Sequence, residues 1–314
     1  MSQGLPHTSA TRTSRAFLIG IALNLVIVAG EAAGGWIGNS TALIADAGHN
    51  LTDVLSLILA GGALWLARRP SSEKRTYGFR RATILASLAN AIFLVIVSVL
   101  LTWEGIARLL APEQVNEPIV IAVAAVAAVA NGFTAWLFVR DQSGDINVRG
   151  AFLHMASDAA LSLGVVAAGI VIFFTGWSWL DPAMSLVIVA AIVAVTWGLL
   201  RESFDLSLDA VPTGIDTGAV QAYLQAQPGV CEVHHLHVWA MSTTEIALTA
   251  HLVKPDGGLD DALLARVERE LAERFGIGHV ALQLERGDAD NPCDVAAPIQ
   301  TLDRGSLPTR HHKK

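Results

Sequence analysis

The sequence predicts a polytopic α-helical membrane protein: six transmembrane helices followed by a small cytoplasmic α+β domain of order αββαβ. Three observations carry this. Of the 314 residues, 53% are apolar and only 16% are charged, against about 25% charged in an ordinary soluble domain. Six mainly apolar segments fall within the first 200 positions, each long enough for the roughly 20 residues that a helix needs to cross a bilayer. The charge is also segregated. Residues 1–200 hold 11 acidic and 11 basic side chains, whereas residues 201–314 hold 17 and 10, so the net charge of −7 sits in the C-terminal third. This composition excludes disorder, collagen and a coiled coil. The acidic C-terminal third argues against a nucleic-acid partner, because phosphate contacts need a basic patch. The two cysteines, Cys231 and Cys293, give no CxxC motif and no disulfide framework.

The elements follow in order. Residues 1–15 are polar and read as a cytoplasmic N-terminal arm. The apolar stretch after them runs longer than a signal-peptide core and lacks a clear small-residue cleavage signal, so it reads as a retained membrane helix. The spans are expected at 17–38, 42–67, 82–103, 118–139, 150–180 and 182–200, making a six-helix membrane domain over 16–205. The third, fourth and sixth spans contain no charge. Short loops on one side would carry Arg12, Arg15, Arg68, Arg69, Lys74, Arg75, Arg80, Arg81, Arg140, Arg149 and Arg201, and the other side only Arg108. The excess of Lys and Arg on cytoplasmic loops then puts both termini in the cytoplasm, with the protein multi-pass in the inner (plasma) membrane. Beyond Pro212 the pattern predicts a helix at 216–227, a strand pair at 231–240 and 245–254, an amphipathic helix at 259–275 and a strand at 279–285. Together these form a small sandwich over 206–287. Residues 288–314 lack periodicity and read as a disordered tail.

Ionisable groups at bilayer depth are costly and mark function. The second span holds Asp46, His49 and Asp53, which offsets of three and four place on one helix face. The fifth holds His154 and Asp158. Two spans therefore each carry His-x-x-x-Asp. Two imidazoles and two carboxylates form an N2O2 set that suits tetrahedral Zn(II), and also Co(II) or Cd(II). Mg(II) and Ca(II) want oxygen cages instead. Asp46 reads as a group that orients His49 or lines the pathway. Glu31, Asn24, Asn90 and Asn131 read as helix–helix hydrogen-bonding groups, with Glu31 also a candidate for the exit path. Asp181-Pro182 reads as the cap and first-turn proline of the sixth span.

Several motifs together resemble the cation diffusion facilitators. They are ALIADAGHNLTD at 42–53, YGFRR at 77–81, AFLHMASD at 151–158, WLDPAMS at 179–185 and HHLHVW at 234–239. The resemblance covers residues 15–286. It implies a homodimeric antiporter of divalent metal ions and protons, with His49, Asp53, His154 and Asp158 as the transport site of the zinc-transporting branch. It further implies a cytoplasmic metal site at His234, His251 and Glu285. Strand alternation puts His235 and His237 on the opposite strand face, where they read as core-edge packing or a second weak site. Cys293 resembles one of a C-terminal cysteine pair whose partner is missing here. The loop between the fourth and fifth spans is short and lacks histidine, and the loop after the second span is Arg-rich. Both features resemble a bacterial, zinc-type member.

The expected function is efflux of Zn(II), with Co(II) or Cd(II) as further cargo, by proton antiport. The chain is expected not to be an enzyme and to need no catalytic cofactor, zinc being the transported and a regulatory ion. Two rival readings stand beside this one. A membrane-anchored metal sensor would not need four ligands in mid-membrane. An intramembrane zinc enzyme would need an open metal position and a general base, and no HExxH motif is present.

Overall fold

The computed structural model describes residues 7–139, 146–255 and 260–287. The chain divides into two compact units, Met1–Leu208 and Asp209–Lys314. The first unit is helical: α1 (His7–Gly38), α2 (Thr41–Ala67), α3 (Ala82–Leu110), α4 (Glu117–Phe138), α5 (Ile146–Thr175) and α6 (Leu180–Ser207). Five of these, α2 to α6, are long and apolar enough to cross a membrane, and the apolar described part of α1 is shorter, Leu23–Gly38. Their apolar windows are only 22–39% buried within the unit. Trp36, Ile58, Trp103, Phe174 and Trp197 are exposed on them, as expected of helices whose solvent is lipid.

Local chemistry sets the helix ends. Asn39 takes a left-handed φ of 52° and breaks α1 from α2. Ser40 then caps α2, its side chain accepting from the Leu43 N–H. Asn116 caps α4 in the same way, from Ile119 N–H. The expected fifth span of 150–180 is corrected. α5 stops at Thr175 because Gly176 turns left-handed at φ 71°, and Trp177 and Trp179 stack in the short link before α6. α1 begins at His7, inside the polar arm.

α2 touches α1, α3, α5 and α6, while α4 packs along α5 and α1, and α3 along α6. Small residues permit these approaches. A Cβ added at Gly34 of α1 would stand 2.7 Å from Val123 of α4, and one at Gly169 of α5 would stand 2.8 Å from Ile121. The expected cap role of Asp181 is also corrected. No side chain caps α6, which starts at Leu180. The Asp181 carboxylate reaches across to the start of α2. There it accepts from Ser40 Oγ, from Thr41 N and Oγ1 at 2.7 Å each, and from Ala42 N at 3.4 Å. Arg108, the lone basic residue on its side, binds the α1–α2 turn through Asn39 O and Oδ1.

The second unit contains α7 (Thr217–Gln225), β1 (Glu232–Ala240), β2 (Ile246–Val253), α8 (Asp261–Phe275) and β3 (His279–Glu285) in chain order. The sheet order is β1-β2-β3. β1 and β2 are antiparallel, as their short turn requires, and β2 and β3 are parallel with α8 as the crossover. Asp216 caps α7 and Asp260 caps α8, and Gly276 at φ 71° ends α8. Val220, Leu224, Val267 and Leu271 of the helices pack with Leu248, Leu252 and Ile277 to form the core. One sheet face is therefore covered. Thr249 and His251 alternate with buried Leu248, Ala250 and Leu252 and point away from the core. The expected tail at 288–314 and the loop at 140–145 lie outside the described residues.

Candidate metal centre

The i, i+4 spacing places His49 above Asp53 on α2 and His154 above Asp158 on α5. α2 and α5 bring the two pairs face to face. His49 Nε2 lies 3.3 Å from Asp158 Oδ1 and 3.7 Å from Asp53 Oδ2. His154 Nε2 lies 3.3 Å from Asp53 Oδ2 and 3.6 Å from Asp158 Oδ2. Each histidine thus meets both carboxylates. Bonds of about 2.0–2.2 Å around a tetrahedral ion make ligand–ligand edges of about 3.3–3.6 Å, close to these four separations. Asp53, His154 and Asp158 form the tightest group, one ligand atom of each lying within 4.8 Å of the others. The His49 and His154 rings stand 6.1 Å apart between centroids. A tetrahedral ion would draw the two rings closer together.

The site is graded in exposure: the Asp158 side chain is 1% exposed and that of His154 39%. Asp53 Oδ2, Asp158 Oδ2 and His49 Nδ1 are buried without a hydrogen-bond partner among the described residues. Buried carboxylate oxygens left this way are expensive and favour a bound cation. The donor set of two imidazoles and two carboxylates fits a divalent ion of the zinc type.

Asp46 is fully buried one turn before His49, and its Oδ2 accepts from Ser162 Oγ at 3.1 Å. This hydrogen bond ties α2 to α5. Glu31 is fully buried, and Asn50 Nδ2 of α2 donates to its Oε2 at 3.0 Å, a helix–helix hydrogen bond. Ser56 of α2 similarly donates to Asn90 Oδ1 of α3 at 2.8 Å. Asn50 and Ser162 were not singled out by sequence reasoning. Their signal is spacing: Asn50 follows His49, and Ser162 lies four residues after Asp158.

The second cluster lies in the C-terminal unit. Register pairs His234 with His251, and Gln283 with His251, so Glu285 falls two residues further along β3 on the same face. Glu285 Oε2 is 3.1 Å from His234 Nε2, and Oε1 is 2.7 Å from His251 Nδ1. Partial desolvation pushes the Glu285 carboxyl up, but hydrogen bonding by His251 and His234 outweighs it and holds the group below its ordinary value. The expectation that His235 and His237 face the opposite side of β1 is corrected. The register shifts between His234 and His237, and His235 takes a left-handed φ of 50°. This bulge inserts one residue, after which Leu236 and Val238 turn to the core while His235 and His237 stay exposed and His234 is half-buried.

The family model of the cation efflux transmembrane domain matches residues 17–206, and that of the cation efflux protein cytoplasmic domain matches residues 212–287. The chain is 35% identical to the cation efflux system protein CzcD of Alcaligenes sp. (strain CT14), over 96% of this chain and 94% of that protein. It is 33% identical to the zinc transporter ZitB of Escherichia coli (strain K12), over 99% and 97%. It is 30% identical to a cadmium, cobalt and zinc/H(+)-K(+) antiporter of Bacillus velezensis, over 98% and 99%. With a helical membrane domain followed by a cytoplasmic domain built on a small sheet, both matched in chain order, this protein belongs to the cation efflux family, a family of transporters and not of enzymes.

Proposed function

We propose that the protein exports divalent metal cations from the cytoplasm, Zn(II) first and Co(II) or Cd(II) as further cargo, in exchange for protons. The observation that carries this reading is that His49, Asp53, His154 and Asp158 meet at near-tetrahedral separations within apolar helices. The names of the relatives, which include a cation efflux system, a zinc transporter and a cadmium, cobalt and zinc antiporter, support the cargo class. In this reading α1 to α6 are six spans of an inner (plasma) membrane protein with both termini cytoplasmic. The chain works as a homodimer. Residues 16–205 form the transport domain, and 206–287 form an αββαβ domain for dimerisation and metal binding. A regulatory Zn(II) there is held by His234, His251 and Glu285.

The mechanism follows from competition at the ligands. Carboxylate and imidazole hold a metal only when deprotonated. Histidine changes charge near physiological pH, so metal and proton exchange there readily. The metal binds while the site faces inward and leaves when it faces outward and the ligands take protons. Moving two positive charges out against 100 mV costs about 4.6 kcal/mol, and one entering proton returns about 2.3 kcal/mol from the potential. Each unit of pH difference adds about 1.4 kcal/mol per proton. Uncoupled flow would run inward, so export needs the protons. The test is metal flux in proteoliposomes, metal by metal, with and without a pH gradient. Uphill Zn(II) movement that stops when the gradient is collapsed is expected. Zn(II) flux indifferent to the gradient would overturn antiport, and flux of Co(II) without Zn(II) would overturn the cargo ranking.

A further inference from the structure

We propose that His235 is a fourth ligand of the cytoplasmic metal site, so that one chain closes an N3O shell from His234, His235, His251 and Glu285. The proposal rests on the reading of His234, His251 and Glu285 as a metal site, and adds to it a residue that strict strand alternation would point away. Three observations support it. The His235 ring centroid lies 4.9 Å from those of both His234 and His251, which are 5.1 Å from each other. One nitrogen of each ring lies within 4.8 Å of the other two. The three rings are mutually inclined at 63–79°, so they meet edge to face and do not stack, as imidazoles converging on a common point do.

The backbone supplies the second argument. A non-glycine residue at φ 50° is held there against its own preference, and bulges beside functional sites re-aim side chains. With His235 in an ordinary strand conformation the alternation would carry it to the core face, where Val233 and Val238 sit. The bulge keeps an exposed imidazole beside two others instead. Glu285 supplies the oxygen against two of the three rings, with Oε2 3.1 Å from His234 and Oε1 2.7 Å from His251. Three nitrogens and one carboxylate oxygen complete the shell of four that closed zinc sites use. Such a site leaves no open position for water and no need of a ligand from elsewhere in the assembly.

The test uses Co(II) as the only metal, on full-length protein in detergent whose transport site is disabled by Asp53→Ala and Asp158→Ala. In this background the intense visible absorption of four-coordinate Co(II) reports the cytoplasmic site alone. His235→Asn is the decisive variant, because asparagine tolerates the left-handed backbone and preserves the bulge. His235→Gly is its companion, since glycine relieves the backbone altogether. Both should bind Co(II) at least roughly tenfold more weakly, a floor set by what even outer-shell partners contribute. Both should also lose the four-coordinate absorption, with circular dichroism of the metal-free protein unchanged. His237→Asn should bind as the parent does. If His234→Ala and His251→Ala lose binding while both His235 variants keep affinity and spectrum, the proposal falls and the three-residue site stands. If none of these variants alters binding, the cytoplasmic site itself falls and the proposal with it.

Discussion

Asp158 is the most deeply buried of the four candidate ligands in the helical unit, at 1% exposure, and it touches both histidines. Its replacement leaves two imidazoles and one carboxylate around any divalent ion in a low-dielectric setting, and the ion's charge is then poorly compensated. Asp158→Ala is expected to abolish flux in proteoliposomes while the protein elutes as the wild type does in size exclusion; wild-type flux would remove the site. His49→Asp keeps four ligands but replaces a nitrogen by an oxygen. It should retain partial transport and shift preference toward Cd(II) or Mn(II), read as the ratio of initial rates for the metals. Asp181 acts on stability. Two hydroxyls and two α2 amides share its carboxylate, and Asp181→Ala strands them in a buried place. That should lower stability by about 1.5–3 kcal/mol, the range for a hydrogen bond to a charged group, seen as a drop in melting temperature that Asp181→Asn partly restores.

At the scale of elements, α8 carries a pH-dependent cap. Asp260 accepts from Lys254 Nζ and from the Leu263 N–H, and both hold its carboxyl below the ordinary value of 3.8. A lowered value in the folded state means that ionised Asp260 stabilises the helix at all pH above 3.8. That contribution fades as pH falls below 3.8 through the folded value. Hydrogen-exchange protection of the α8 amides, corrected for intrinsic rates, should therefore drop at acid pH in the wild type. Asp260→Asn should lose part of the protection at pH 7 and show less change on acidification; equal acid sensitivity in the two would refute this role. Which of these features the sequence makes legible follows from how local their causes are. His-x-x-x-Asp is local, so helix geometry alone puts both ligands of each pair on one face. Gly276 after Phe275 is a local stop and marks the end of α8. Asp181 was misread because its partner is 140 residues away at Thr41 and its own neighbourhood looks like a cap. The β1 bulge did leave a trace: Val233, Leu236 and Val238 cannot share one face at a period of two. A strict alternation overlooked it and put His235 on the wrong side.

The whole molecule is organised by charge. The basic residues 68, 69, 74, 75, 80 and 81 gather in the link between α2 and α3, whereas the links after α1, α3 and α5 carry none. Arg108, near the end of α3, is the exception that the fold absorbs, since its guanidinium is tied to Asn39 and to Glu104 at 2.8 Å each. One arginine does not offset the six basic residues of the α2–α3 link, because the bias is counted in Lys and Arg. In the proposed reading this asymmetry sets the direction of transport, because the same four ligands would serve import or export according to which face is cytoplasmic. Cysteine-reactive labelling decides it. The native cysteines are first replaced by serine, and single cysteines are then introduced. One near Asn39 and one near Asn116 should react with a membrane-impermeant reagent in intact cells, since both positions border the α1–α2 and α3–α4 links and Asn116 N–H bonds Gly38 O at 2.8 Å. One at Ser72 should react only after lysis. Labelling of Ser72 in intact cells, with Asn39 protected, would invert the protein in the membrane. The membrane site would keep its chemistry, but the proposed efflux would become uptake.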